Sequence, residues 1–401
     1  MTGRLLSRSR WLILLGIAFF LFGCALTSPV QVEPTAVGPV DIPAPTLPVE
    51  VPEEEPEEAP VEEPTFAPTA AGSGGANDIQ VDYVYTNNLI TILYPLYGST
   101  LDDFVVINLT NHNAEAVKLI IQSEVTGYTT QSIDTVTVDA NGTLEVRQNP
   151  RLIPEAIDKL NVARPAQFHL SVVYLDNGVE KPVLDETGET QVYARRDFPW
   201  SIPGFNDEEV WELTAAMVTP NDPAVEELLR YAADYTDSGI ITGGYSGYLN
   251  DEGGKVWDRL EAIWQAEEEI YNLTYINTWV SYAPGSVQRI RLPAEVLDQR
   301  SGNCIELAAL YAAAAEAMDL ETALIGIPGH AFVAVRTDME NANYYFIETT
   351  LIGRATFAEA IEVGNQEFEE ALPHMDAKED YYRWVTVQTA REKGILPLPW
   401  H

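Results

Sequence analysis

The chain has 401 residues, of which 46% are apolar and 10% aromatic, enough to bury real cores. At roughly 150 residues per domain, two folded units are expected. Its 61 acidic side chains against 23 basic ones give a net charge of −38. A surface that acidic repels phosphate backbones, and no cluster of Lys and Arg reverses this locally, so nucleic acid is excluded as a partner.

The strongly basic stretch is the N-terminus, where Arg4, Arg8 and Arg10 precede an apolar run from Trp11 to Phe22. A charged start, a short apolar core and small residues after it mark a secretory leader over residues 1–23, since a spanning helix needs about 20 apolar residues. The run ends in Leu21-Phe22-Gly23-Cys24, which resembles the lipobox of bacterial lipoproteins. The resemblance implies that Cys24 is acylated and begins the mature chain. The protein is then extracytoplasmic and held at the bacterial membrane by an N-terminal lipid; an uncleaved anchor or simple secretion is the alternative. Cys304 becomes a lone thiol in an exported protein, with no intramolecular disulfide open to it.

Residues 24–75 are expected to be a spacer. From Pro29 to Gly75 there are eleven prolines and ten acids, without Lys or Arg. Such a segment cannot bury enough surface to offset its ordering entropy, and proline with self-repulsion keeps it extended. Between 76 and 200 the pattern changes to short β-rich runs: Ile79–Tyr85, Phe104–Leu109, Ala116–Val125, Ile133–Val138, Phe168–Leu175 and Gln191–Ala194. Turn signals such as Asn141-Gly142 and Asp176-Asn177-Gly178 separate them, so an all-β sandwich of immunoglobulin-like type is expected. His112 and His169 read as surface or strand residues, because neither has a second ligand at metal spacing.

From 201 to 401 helical periods dominate. Pro223 follows Asn221 and Asp222 at a first-turn position and starts a helix to about Tyr235. A second helix runs from about Lys255 to Asn272. Ser246 lies in a Gly-Gly-Tyr-Ser-Gly stretch, but Tyr248 stands where a serine-hydrolase elbow needs its last glycine, so it reads as loop. Trp279 reads as core, although it could line a cleft. His374 and His401 read as surface residues.

The chemistry concentrates between Leu292 and Ile352. Gly302-Asn303 is a turn, Asn303 caps a helix from Cys304 to about Met318, and Glu306 completes a capping box. Cys304 thus sits in the first helical turn, where the macrodipole and free N–H groups favour a thiolate and can meet a developing oxyanion. Strands are expected at Thr322–Ile327, His330–Arg336 and Tyr344–Thr350. If the last two pair with Thr337 opposite Asn343, then Phe332 faces Glu348 and His330 faces Thr350. His330 and Glu348 would share a face as diagonal neighbours about 7–8 Å apart. A slip of one residue would turn Glu348 away.

RSGNC at a helix start, PGHAF at a strand start and FIETT on the next strand resemble the core of the transglutaminase-like superfamily. The resemblance implies a papain-like α+β C-terminal domain, with Cys304 as nucleophile, His330 as general base and acid, and Glu348 as the orienting residue. Most of the family has Asp at the third place; Glu348 is longer by a methylene and can make the same hydrogen bond. The implied reaction cleaves a peptide or carboxamide bond through a thioester, with water favoured over an amine as acceptor. A peptide or protein, cell-wall peptide included, is the expected substrate, and no cofactor or metal is expected. The rival expectation is an inactive domain that keeps the fold as a cell-surface module binding peptide or polymer.

Overall fold

A computed structural model describes residues 69–202, 204–237, 239–241, 254–278, 286–338 and 343–399. All of them fall in one compact unit, Glu62–His401. No helix among the described residues is long and apolar enough to cross a membrane.

The first half is built from β1 (Thr69–Ala76), β2 (Ile79–Thr86), β3 (Asn88–Leu89), β4 (Val105–Asn111), β5 (Val117–Val125), β6 (Ser132–Val138), β7 (Thr143–Gln148), a one-turn helix α1 (Pro154–Ile157), β8 (Arg164–Asp176) and β9 (Val179–Val192). They form two sheets, in the orders β1-β2-β4-β7 and β3-β9-β8-β5-β6. Every second residue of β4 and β5 is buried, as the period of a strand requires when one face is covered. Val105, Ile107 and Leu109 from one sheet meet Leu119, Ile121, Phe168 and Leu170 from the other in a single core. The Asn177-Gly178 turn takes φ of 50° and 83°, the left-handed pair that suits a tight hairpin. It joins β8 to a β9 longer than the expected Gln191–Ala194 run. The added length is mostly polar, and β8 supplies the ladder that apolar alternation did not signal.

The strands also begin earlier than expected. β1 occupies residues read from composition as spacer, yet it pairs with β2 along its whole length. Its glycines allow that approach: a Cβ on Gly72 would stand 2.3 Å from the Tyr83 ring.

The second half runs β10 (Asp197–Pro199), α2 (Asp207–Glu212), α3 (Pro223–Ala232), α4 (Gly254–Glu269), β11 (Thr274–Tyr275), β12 (Val287–Arg289), α5 (Pro293–Gln299), β13 (Ser301–Gly302), α6 (Cys304–Ala317), β14 (Thr322–Ile327), β15 (His330–Arg336), β16 (Tyr344–Ile347), α7 (Phe357–Asp376), β17 (Arg383–Thr386) and α8 (Val387–Glu392). Helices and sheets together make a mixed fold in keeping with the expected α+β class. Its main sheet is antiparallel, in the order β16-β15-β14-β17. α3 starts as expected, with Asp222 accepting from the Ala224 N–H ahead of Pro223. Ser246, Trp279 and His401 lie outside the described residues.

α6 is buried on every face from Cys304 through Ala315. A helix apolar all round belongs in a core rather than at a surface, and its alanines let neighbours approach from all sides. It packs against α3, α5, β14 and β15. Cys304 is therefore carried at the tip of the central element of the fold.

Candidate active site

The start of α6 is fixed by two carboxylate-centred devices. Asn303 Oδ1 accepts the Glu306 N–H at 3.1 Å, and Glu306 Oε2 accepts the Asn303 N–H at 2.9 Å, the expected capping box. The same buried carboxylate accepts the Arg291 backbone N–H at 2.8 Å, its Nε at 3.0 Å and its Nη2 at 2.6 Å. Glu306 thus ties the segment before α5 to the turn that presents Cys304. The thiol-bearing residue is itself only 2% exposed.

His330 is set by a two-residue hairpin. Ile327 pairs with His330 across Pro328-Gly329, and Gly329 takes a φ of +75°, which a side chain would strain. The next hairpin has the expected register: Val333 pairs with Ile347, Ala334 with Phe346, and the Thr337 N–H donates to the Asn343 carbonyl at 2.9 Å. The third strand stops at Ile347 instead of reaching Thr350. Glu348 leaves the ladder and caps a short 3₁₀ turn, Thr349–Leu351, accepting the Thr350 N–H at 2.8 Å and the Thr350 hydroxyl. That turn brings its carboxylate to the imidazole, with Glu348 Oε2 2.6 Å from His330 Nε2.

The Cys304 side chain lies close enough to His330 to interact with its ring as well. With Nε2 held by Glu348, Nδ1 is the nitrogen left for the thiol. Burial works against the imidazolium, but the interactions with Cys304, Glu348 and Glu367 outweigh it and hold His330 well above the ordinary histidine range. Burial likewise pushes the Glu348 carboxyl up, and the His330 hydrogen bond and charge overcome this and hold it below the ordinary range. The three residues singled out in the sequence are together.

Two neighbours were not legible in the sequence. Glu367 of α7 brings Oε2 to 3.7 Å from His330 Nε2. Burial, opposed by the interaction with His330 and reinforced by the charge of Glu348, pushes its carboxyl up to about 7. Nothing local marked it, since α7 is acidic along its length. Tyr275 of β11 interacts electrostatically with Cys304, His330 and Glu348, and the Arg354 guanidinium lies 5.7 Å from its ring centre. Its signal was equally absent, because β11 reaches the site through a two-residue parallel pairing with β13.

Donor atoms of His330, Glu348 and Glu367 lie within 4.8 Å of one another, so a chelate has to be weighed. Two ligands on a tetrahedral zinc stand about 3.3 Å apart, given bonds of about 2.0–2.2 Å. The 2.6 Å contact between Nε2 and Glu348 fits an N–H···O bond and leaves a metal no room between them. The other described histidines stay apart from the site. His112 is exposed, His169 pairs with Asp185 at 2.7 Å and His374 with Glu379 at 2.9 Å.

Residues 292–390 match the model of the transglutaminase-like superfamily. This stretch is a transglutaminase-like domain. It contains Cys304, His330, Glu348 and Glu367. Two solved structures are similar at low identity. One is a cysteine protease candidate from Cytophaga hutchinsonii, 14% identical, with 62% of this chain and 75% of that chain covered at a TM-score of 0.18. The other is the exo-beta-D-glucosaminidase CsxA, 13% identical, with 61% of this chain and 31% of that chain covered at a TM-score of 0.17. At such scores neither likeness bears on fold or activity. No curated protein matches the sequence.

Proposed function

We propose that the chain is a secreted, lipid-anchored cysteine enzyme that cleaves peptide or carboxamide bonds through a thioester. A single observation carries the activity: the imidazole of His330 interacts with the Cys304 thiol and has the Glu348 carboxylate 2.6 Å from its Nε2. In that arrangement the thiol proton already rests on Nδ1, and the thiolate sulfur attacks the carbonyl carbon. The first turn of α6 faces the developing oxyanion with backbone N–H groups. The imidazolium gives its proton to the leaving nitrogen, the C–N bond breaks and an amine departs, leaving the acyl group on sulfur. Water, deprotonated by His330, then attacks the thioester, releasing a carboxylic acid and restoring the thiol. Glu348 holds the ring and balances its charge throughout. Water is favoured as acceptor because it is always present; an amine in its place would give a cross-link.

The rest of the reading follows the sequence. A leader over residues 1–23 and acylation of Cys24 place the protein outside the cytoplasm on a bacterial membrane, and the residues between Cys24 and β1 space it from the surface. An immunoglobulin-like sandwich that begins with β1 and ends near residue 200 precedes a papain-like domain over 201–401, and the substrate is a peptide or protein, cell-wall peptide included. The second reading is a non-catalytic peptide- or polymer-binding module, favoured by the burial of Cys304 at 2% exposure.

The deciding experiment follows alkylation of Cys304 against pH by peptide mass spectrometry, in the full chain and in His330→Ala. Fast reaction that persists below pH 7 and disappears in the variant is expected of the enzyme. Slow reaction with an ordinary thiol profile near pH 8.5, the same in both proteins, would establish the binding module instead.

A further inference from the structure

Glu367 is held at the imidazole by the packing of α7 rather than by a flexible reach. The Glu348 N–H donates to the Ala360 carbonyl at 3.1 Å, so α7 is bonded to the residue that orients His330. One turn along, Gly364 lets the helix backbone lie against Phe346, where a Cβ would stand 2.5 Å from the carbonyl oxygen. Phe368, next to Glu367, stacks on the Phe346 ring with centres 3.8 Å apart.

So placed, Glu367 Oε2 is buried and no donor satisfies it. The Nε2 proton of His330 is already given to Glu348, whose other oxygen accepts from Thr350. An ionised oxygen in that position would be left without a partner. A protonated one can donate instead, and the Glu348 carboxylate, within 4.8 Å in the same cluster, is the acceptor available to it.

The geometry points to Glu367 as a second positioning residue: with Glu348 it forms a carboxyl–carboxylate pair sharing one proton against the His330 ring, and loss of that proton adds the second negative charge that keeps the ring protonated. This rests on the catalytic reading of Cys304, His330 and Glu348. The titratable groups around Glu367 are His330 from β15 and Glu348 at the end of β16. Cys304 on α6 and Tyr275 on β11 lie around the same ring. Two carboxyl groups within 4.8 Å resist ionising together, so the pair titrates in separate steps. The thiolate–imidazolium pair therefore survives to higher pH than a single carboxylate would allow.

The test is the titration of the His330 ring by NMR in the full chain, its signal assigned by loss in His330→Ala. Two steps are expected: one near pH 7, where Glu367 loses its proton, and a later one where the ring does. Glu367→Gln, close in size and unable to ionise, should show a single step, moved down by roughly one pH unit. A single step in the unaltered chain overturns the proposal, and so does a variant that titrates where the unaltered chain does. The first comparison needs no variant to fold. If Cys304 alkylation depends on His330 while the two-step titration is missing, only the role of Glu367 falls. If alkylation ignores His330→Ala, the catalytic reading falls with it.

Discussion

At the scale of single residues, the three titrating groups of the site link its stability to pH in a fixed direction. Glu348 is held below the ordinary range, so its contribution is present above about pH 4.3 and lost as pH falls through its folded value. His330 is held above the ordinary range, so its contribution is complete below about pH 6.5 and lost as pH rises through its folded value. Glu367 behaves as a raised acid: its contribution is complete below about pH 4.3 and is lost as pH rises to about 7. The cluster is therefore most stabilising near pH 5. Melting temperatures measured between pH 5 and 8 should fall more steeply for the unaltered chain than for Glu367→Gln; parallel curves would show that Glu367 does not titrate in this window. Glu348→Ala removes the acceptor for the Nε2 proton, and turnover on a peptide substrate should drop on the order of 10²–10⁴-fold.

At the scale of elements, the site depends on two close fits. Gly364 brings α7 against Phe346, and Gly364→Ala forces that backbone apart. The overpacking should cost about 1–3 kcal/mol in urea unfolding and carry Glu367 away from His330. The second fit is the Glu306 carboxylate, which binds Arg291 and caps α6 at once. Glu306→Ala leaves the guanidinium, whose side chain is 16% exposed, without its counter-charge. A loss of about 3 kcal/mol is expected, together with slower Cys304 alkylation because the helix start is freed. A variant as stable as the parent would show that the cap does not position the thiol.

At the scale of the whole molecule, the two halves share a core. The 3₁₀ turn Thr91–Leu96 comes from the first half, yet Ile92, Leu93 and Leu96 are buried among the helices of the second. Arg196, just after the last long strand, pairs with Glu295 of α5 at 2.6 Å. Leu93→Ala should therefore lower stability by about 2–5 kcal/mol and be felt at Cys304, although the residue is far from it in sequence. A fragment starting at residue 201 lacks those side chains and should expose apolar surface and bind a hydrophobic dye. A cooperative melt of that fragment at the parent temperature would refute the shared core.

How much of this was legible in the sequence follows from the range of the forces involved. The α6 start and the turn between β14 and β15 are local, set by capping and turn chemistry within a few residues, whereas the register that pairs Val333 with Ile347 is left open by alternation alone. The sequence alone therefore determined the order Cys304, His330, Glu348 and the helix and strand that carry the first two, while the 3₁₀ turn that presents Glu348 stands where a strand was expected. β1 and most of β9 carry no apolar alternation and exist because a neighbouring strand completes their hydrogen bonds. Glu367 and Tyr275 reach the imidazole from α7 and β11 through packing at Gly364 and pairing with β13. Only the tertiary structure decided which of 61 acids shares the histidine, because that choice is made by close contact between elements distant in the chain.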